Sequence, residues 1–255
     1  MVQVKPIKAF DDNYIWAIHD TTQKQVWVVD PGQAEPVVKF LNDNQASLQG
    51  ILVTHHHWDH TTGIASLKEI TPQLRVFGPA NSPYNGITDP LYEGDTITVF
   101  NIELAVIETP GHTLDHICYL NHKLCFTGDT LFSAGCGRLM EGNAEQMWQS
   151  LKKFTPLKDE TLMYCTHEYT MANLAFASAV EPDNQDISEY KQWAASRRSN
   201  NLPTLPSTFG KERAVNPFLR ANLSHISEYI PKHIKSNLSE PWQVFAALRV
   251  WKDKF

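Results

Sequence analysis

Apolar residues in the first two thirds of the chain come in short runs, each closed by a polar or glycine-bearing turn, which is the texture of strands broken by occasional helices. The runs predict strands over residues 14–19, 25–29, 50–54, 102–108, 117–120, 123–127 and 161–165. Helical spacing predicts helices over 63–70 and 144–154, the second with Met147, Leu151 and Phe154 on one face. Beyond about residue 170 the pattern turns helical, over 171–180, 188–200 and 241–254, around a Pro-, Asn- and Ser-rich segment near 201–217. In the last helix Trp242, Phe245, Leu248, Trp251 and Phe255 make one apolar stripe. A strand-rich domain followed by a smaller helical one is the organisation this predicts.

Length agrees, since 255 residues at roughly 150 per domain allow one large domain or two unequal ones. Hydrophobic residues at 42% and charged residues at 20% exclude a disordered chain. The net charge of −6 would repel a phosphate backbone, so no nucleic-acid partner is expected. No run approaches the ~18 apolar residues that span a bilayer, and the N-terminus lacks a signal-peptide core. A cytoplasmic protein without a membrane partner, most simply a monomer, is expected. Cys118, Cys125, Cys136 and Cys165 form no C-x-x-C pair and are expected to be reduced. A Cys118–Cys125 bridge is conceivable if Asn121 and His122 make a two-residue turn.

Histidine changes the picture. Residues 54–60 read Thr-His-His-His-Trp-Asp-His, directly after an apolar run that delivers them to a sheet edge. His55 and His57 are two apart and point the same way in extended chain, so they can share one metal, while Asp59 and His60 lie past a bend and can face a second. Three further strand ends carry His112, Asp129 and His167. Imidazoles and carboxylates suit zinc, iron or manganese. Seven such donors exceed one tetrahedral ion but suit two if a carboxylate bridges, and Asp129, alone after its strand, is the natural bridge. His56 points away from its neighbours and fits a supporting role. His116, four after His112, leads straight into a strand and is not expected to share a helix face with it.

At these residues the chain resembles the metallo-β-lactamase superfamily, whose signature is T-H-x-H-x-D-H followed by later His, Asp and His ligands. Asp12-Asn13-Tyr14-Ile15-Trp16, Thr109-Pro110-Gly111-His112-Thr113, Gly128-Asp129-Thr130-Leu131-Phe132, Gly135-Cys136-Gly137-Arg138, Cys165-Thr166-His167-Glu168-Tyr169 and Asn216-Pro217-Phe218 extend the likeness to the glyoxalase II (hydroxyacylglutathione hydrolase) family over nearly the whole chain. The resemblance implies an α+β fold, a metallo-β-lactamase αββα sandwich over residues 1–168 followed by a helical glutathione-binding domain over 169–255. It puts His55, His57 and His112 on one ion, Asp59, His60 and His167 on the other, and Asp129 on both, with Asp59 and Asp129 at the chemistry. Arg138, Tyr169, Arg249 and Lys252 match its substrate contacts. Two departures stand out: Asp115 where the superfamily usually has glycine, and Met140 where some family members have tyrosine.

Two ions ~3.5–4 Å apart lower the pKa of a shared water toward ~7, which makes a hydrolase. A thioester fits, because a thiol of pKa near ~8.5 leaves without a dedicated acid. The implied reaction cleaves S-D-lactoylglutathione to glutathione and D-lactate, the second step of methylglyoxal detoxification, with two divalent ions as cofactors, zinc first and iron or manganese as alternatives. The runner-up is a lactonase or lactamase-like hydrolase; a mono-iron dioxygenase is disfavoured by Asp59, and a metal-storing protein is the reading from another class. Neither a G-x-S-x-G elbow nor a P-loop occurs.

Overall fold

In the computed structural model, which describes residues 1–235 and 238–255, the chain forms two compact units. The first comprises 1–108, 115–121 and 125–128, and the second 109–114, 122–124 and 129–255.

The first unit carries β1 (Val2–Ala9), β2 (Asn13–Asp20), β3 (Gln25–Val29), α1 (Ala34–Asn44), β4 (Ser47–Leu52), α2 (Trp58–Thr61), α3 (Ile64–Ile70), β5 (Arg75–Pro79), β6 (Asp89–Leu91), β7 (Thr96–Val99), β8 (Ile102–Glu108), β9 (Ile117–Leu120) and most of β10 (Leu124–Gly128). Strands β1 to β6 form one sheet in sequence order, antiparallel from β1 to β3 and parallel from β3 to β6. Strands β7 to β10 form an antiparallel meander. All of β2 is buried, because alternate residues serve opposite faces: Ile15 and Ala17 join Val37 of α1 and Ile64 and Leu67 of α3 in one apolar layer. On the other face the two sheets meet. Tyr119 of β9, fully buried, donates its hydroxyl to the Val53 oxygen at 2.7 Å, which satisfies a polar tip that would otherwise be costly to bury.

The second unit adds β11 (Leu131–Phe132), β12 (Gly135–Cys136), α4 (Ala144–Lys152), β13 (Leu162–Cys165), α5 (Thr170–Val180), α6 (Gln185–Ser199), β14 (Ser207–Thr208), α7 (Phe209–Val215) and α8 (Pro241–Lys252). Helix α4 begins with a capping box, Asn143 and Gln146 each bonding the other's backbone N–H. Trp148 of α4 meets Phe245 of α8, with ring centroids 6.4 Å apart, and Phe245 meets Phe218 at 5.5 Å. Phe245 and Leu248 are fully buried, so they are the working part of the expected stripe in α8; Phe255 lies at its margin, 61% exposed.

The mixture of helices and sheets is the α+β class expected, and every predicted strand and helix has a counterpart. Strand β4 stops at Leu52 instead of running to 54, because Asp30 captures the Thr54 backbone. The register pairs Cys125 with Leu120 and Phe126 with Tyr119, so Cys118 and Cys125 are not opposite one another, and all four cysteines are free and buried. No helix among the described residues is long and apolar enough to cross a membrane.

Candidate metal centre and substrate pocket

In the first unit the donors sit on the turn after β4. Asp30, held at φ +52° just past β3, accepts the Thr54 N–H on Oδ1 and the Thr54 hydroxyl on Oδ2, each at 2.7 Å. That hydroxyl has one proton and gives it to Asp30, so the 3.0 Å contact between Thr54 Oγ1 and His55 Nδ1 carries the imidazole's proton. His55 Nε2 is therefore a lone pair, and it faces His57 Nδ1 at 3.1 Å. His57 caps α2, whose first turn presents Asp59 and His60. Asp59 Oδ2 accepts from Asn13 at 3.0 Å and lies 3.5 Å from His60 Nε2. Asp30 Oδ2 lies 3.1 Å from His60 Nδ1, a negative charge that favours a proton on that nitrogen and a bare Nε2. One buried carboxylate thus orients two imidazoles.

His56 turns away as expected, its Nδ1 2.9 Å from Asp115 Oδ1, so the departure at Asp115 is met by a histidine. His116 is fully buried and stacks on His55, with centroids 4.8 Å apart. Gly128 has φ +48°, and a Cβ there would come within 2.5 Å of Thr54 Oγ1 and 2.7 Å of His116 Nε2. Only glycine fits.

In the second unit His112 donates Nδ1–H to the Arg138 carbonyl at 2.8 Å, leaving Nε2 bare. Asp129 Oδ2 lies 3.4 Å from His112 Nε2 and 3.4 Å from His167 Nε2. Its other oxygen, Oδ1, accepts the Thr166 hydroxyl at 2.5 Å. One oxygen anchored and one turned to two imidazole nitrogens is the arrangement a bridging carboxylate needs. A Cβ on Gly137 would fall 2.0 Å from the Asp129 carbonyl, which explains the glycine beside Cys136. His167 stacks on Tyr169 at 4.7 Å, and Phe132 stands edge-on to both.

His112 and Asp129 form one side of a cavity of about 380 Å³ whose wall includes Arg138, Tyr169, Arg249 and Lys252. Arg249 is buried, with Nε and Nη2 on Asp253 at 3.1 and 2.8 Å and Nη1 on the Cys136 carbonyl at 3.0 Å. Lys252 donates to the Ala172 carbonyl at 3.2 Å, and burial together with the Arg249 charge brings its ammonium pKa down to about 8. Arg138 reaches out to solvent, and Met140 at the rim is 61% exposed. Burial pushes the Cys136 thiol up to about 11, so it is no nucleophile at neutral pH. A larger cavity in the same unit, about 640 Å³ beside Trp148 and Trp242, has no histidine or cysteine in its lining.

Comparison with known proteins decides the assignment. The metallo-beta-lactamase superfamily model matches residues 10–167, and the hydroxyacylglutathione hydrolase C-terminus model matches 168–255. The hydroxyacylglutathione hydrolase of Pseudoalteromonas translucida is 55% identical over the whole of both chains, and that of Vibrio parahaemolyticus 46%. The chain belongs to the hydroxyacylglutathione hydrolase family. Among solved structures, ETHE1 from Myxococcus xanthus aligns with a TM-score of 0.66 at 27% identity, covering 99% of this chain and 98% of that one.

The family and the metallo-beta-lactamase match make this a metal-dependent hydrolase, and each unit supplies imidazole and carboxylate groups of the kind that bind metal. The donor set fits metal ions, since His55 and His112 each present a nitrogen whose ring partner is already held by an acceptor, and the Asp30 carboxylate lies 3.1 Å behind His60 Nδ1. Asp30 and Thr54 escaped the sequence reading, although Val28-Val29-Asp30-Pro31-Gly32 shows an acidic residue at a strand end. Phe132 and Asn173, which also line the cavity, gave no chemical signal.

Proposed function

We propose that this chain is the thioester hydrolase of its family acting on S-(2-hydroxyacyl)glutathione, releasing glutathione and a 2-hydroxy acid, with S-D-lactoylglutathione and D-lactate as the pair. His55, His57 and His112 hold one divalent ion, Asp59, His60 and His167 the other, and Asp129 contributes to both; zinc is the first candidate. Ions so held lower the pKa of water and polarise a carbonyl. The protein's own part is orientation. Asp30, Thr54 and the Arg138 carbonyl keep imidazole nitrogens bare, and Asn13 fixes Asp59. Arg138, Tyr169, Arg249 and Lys252 seat the glutathione moiety, whose two carboxylates call for cations. The thiolate leaves unaided because its conjugate acid is near ~8.5.

The observation that carries this reading is Asp129 Oδ2 lying 3.4 Å from two imidazole nitrogens beside a cavity walled by cations. We assign catalysis to residues 1–168 and glutathione binding to 169–255, in a monomeric cytoplasmic enzyme. The test is turnover of S-D-lactoylglutathione followed at the thioester absorbance, with metal content measured on the same sample. Two equivalents of metal, and β-lactams or lactones cleaved far more slowly, are expected; comparable β-lactam turnover overturns the reading. Asp129→Ala should lose both metals and activity together.

A further inference from the structure

The short hairpin of β11 and β12 forms part of the cavity wall through Phe132 and Cys136. It has almost no ladder of its own, with only two residue pairs in register. Side chains hold it instead. Asn216 Nδ2 donates to the Phe132 and Gly135 carbonyls at 3.1 and 2.9 Å, Asn173 Nδ2 to the Ser133 carbonyl at 3.0 Å, and Arg249 Nη1 to the Cys136 carbonyl at 3.0 Å. At the tip Ala134 adopts φ +55°, a left-handed conformation unfavourable for a residue with a Cβ.

What fixes that tip is Glu212, fully buried on α7. Its Oε2 accepts the Ala134 N–H at 2.7 Å and the Asn216 amide at 3.2 Å, and its Oε1 accepts the hydroxyls of Ser133 at 2.9 Å and Ser207 at 2.5 Å. The Ser133 proton is thereby spent, so Tyr190 donates to Ser133 across their 2.9 Å contact. Four neutral donors meet this carboxylate. A buried acid is an expensive way to fill a core, and this one touches neither substrate cavity nor metal donors. Every group it does hold belongs to the hairpin or to the residue that clasps the hairpin, apart from Ser207.

We propose that Glu212, acting with Asn216, is a positioning residue for glutathione recognition: it locks the 131–136 hairpin so that Phe132, Cys136 and, through the Cys136 carbonyl, Arg249 present a preformed wall to the substrate. The inference rests on the proposed function. Glu212→Gln keeps the clasp, because the amide nitrogen can donate to the two hydroxyls while the remaining oxygen keeps Ala134 and Asn216. Glu212→Ala and Asn216→Ala release the hairpin.

The test uses the metal-loaded full chain, with kcat and KM for S-D-lactoylglutathione, the same kinetics for a short thioester of N-acetylcysteamine, and metal content. In Asn216→Ala and Glu212→Ala the KM for the glutathione thioester should rise roughly tenfold or more, as a loosened positioning contact does. Their kcat, two-metal content and activity on the short thioester should be retained, and Glu212→Gln should stay within about twofold of the native KM. If Glu212→Ala does not fold, Asn216→Ala and Glu212→Gln carry the comparison. Unchanged KM in a folded, metal-loaded Asn216→Ala, equal losses on both thioesters, or a Glu212→Gln with the Asn216→Ala defect would each overturn the proposal. A native enzyme with no glutathione-thioester activity would instead refute the proposed function, and is read before any variant is compared.

Discussion

His112 and Arg138 are linked through the backbone, the ring Nδ1–H pointing at the Arg138 carbonyl oxygen 2.8 Å away. The carbonyl and the side chain of this arginine are separate in effect. Its carbonyl fixes which nitrogen of His112 is bare, while its guanidinium extends into solvent, 3.9 Å from Asp253.

Arg138→Ala should therefore leave metal content unaltered, since the carbonyl remains. An exposed charge contributes ~0–1 kcal/mol, so the KM for the glutathione thioester should rise by no more than about fivefold at low salt, with kcat preserved. Loss of metal in this variant would show that the side chain, and not the peptide oxygen, supports His112.

Asp30 acts on two imidazoles from within one unit, through Thr54 on His55 and directly beside His60. Asp30→Asn removes the charge and half of the acceptor capacity. Groups that orient metal-binding histidines typically account for 10–100-fold in metal affinity, and a loss of about that size is expected in a chelator competition titration. A folded Asp30→Asn that holds both metals as tightly as the native protein would remove this role.

The fold was legible where hydrophobic periodicity was strong. The seven strands and five helices expected from it all form, with ends displaced by up to three residues; β4 ends two residues early, where Asp30 captures the Thr54 backbone. Strand β1 was missed because only Ile7 and Ala9 of its eight residues are buried. The tiny β11 and β12 depend on Asn173, Asn216 and Arg249, which lie far along the chain. The candidate donors were visible as a local cluster and as strand ends; the residues bonded to them were not, because a Thr hydroxyl or a peptide carbonyl has no signature until the chain has folded. The family resemblance put Arg249 among the substrate contacts. It does line the cavity, yet its guanidinium is also committed to Asp253 and Cys136.

His19 is buried against Phe40, with ring centroids 5.7 Å apart. Burial first, and then the Lys5 charge, lowers its pKa below the usual 6.5. As the folded pKa is depressed, the unfolded chain takes up a proton before the native one does, so stability falls as the pH drops below about 6.5. His19→Phe should flatten part of that decline between pH 7 and pH 5 in thermal melts while leaving kcat unaltered. A melting profile with the native slope would mean that other groups set the acid limb.

Lys252 offers the sharpest pH test of the substrate pocket. Burial, reinforced by the neighbouring Arg249, brings its pKa down to about 8, well under an unfolded lysine near 10.4. Between these values the unfolded chain binds a proton that the native chain has released, so this residue makes stability increase with pH across that window and costs stability below it. Binding runs the opposite way. If the ammonium seats a glutathione carboxylate, it does so only while charged, and kcat/KM, which reports ionisations of the free enzyme, should fall as the pH rises through about 8 with little change in kcat. Lys252→Arg keeps the charge at every accessible pH and should move that fall upward. Lys252→Met should remove it, leaving a KM raised by about one to two orders of magnitude at pH 7 if a charge-assisted hydrogen bond of roughly 1.5–3 kcal/mol is lost. Profiles of kcat/KM from pH 6.5 to 9.5 for the three proteins decide the matter. A fall near pH 8 that persists unaltered in Lys252→Met would assign the ionisation to another group and take Lys252 out of substrate binding.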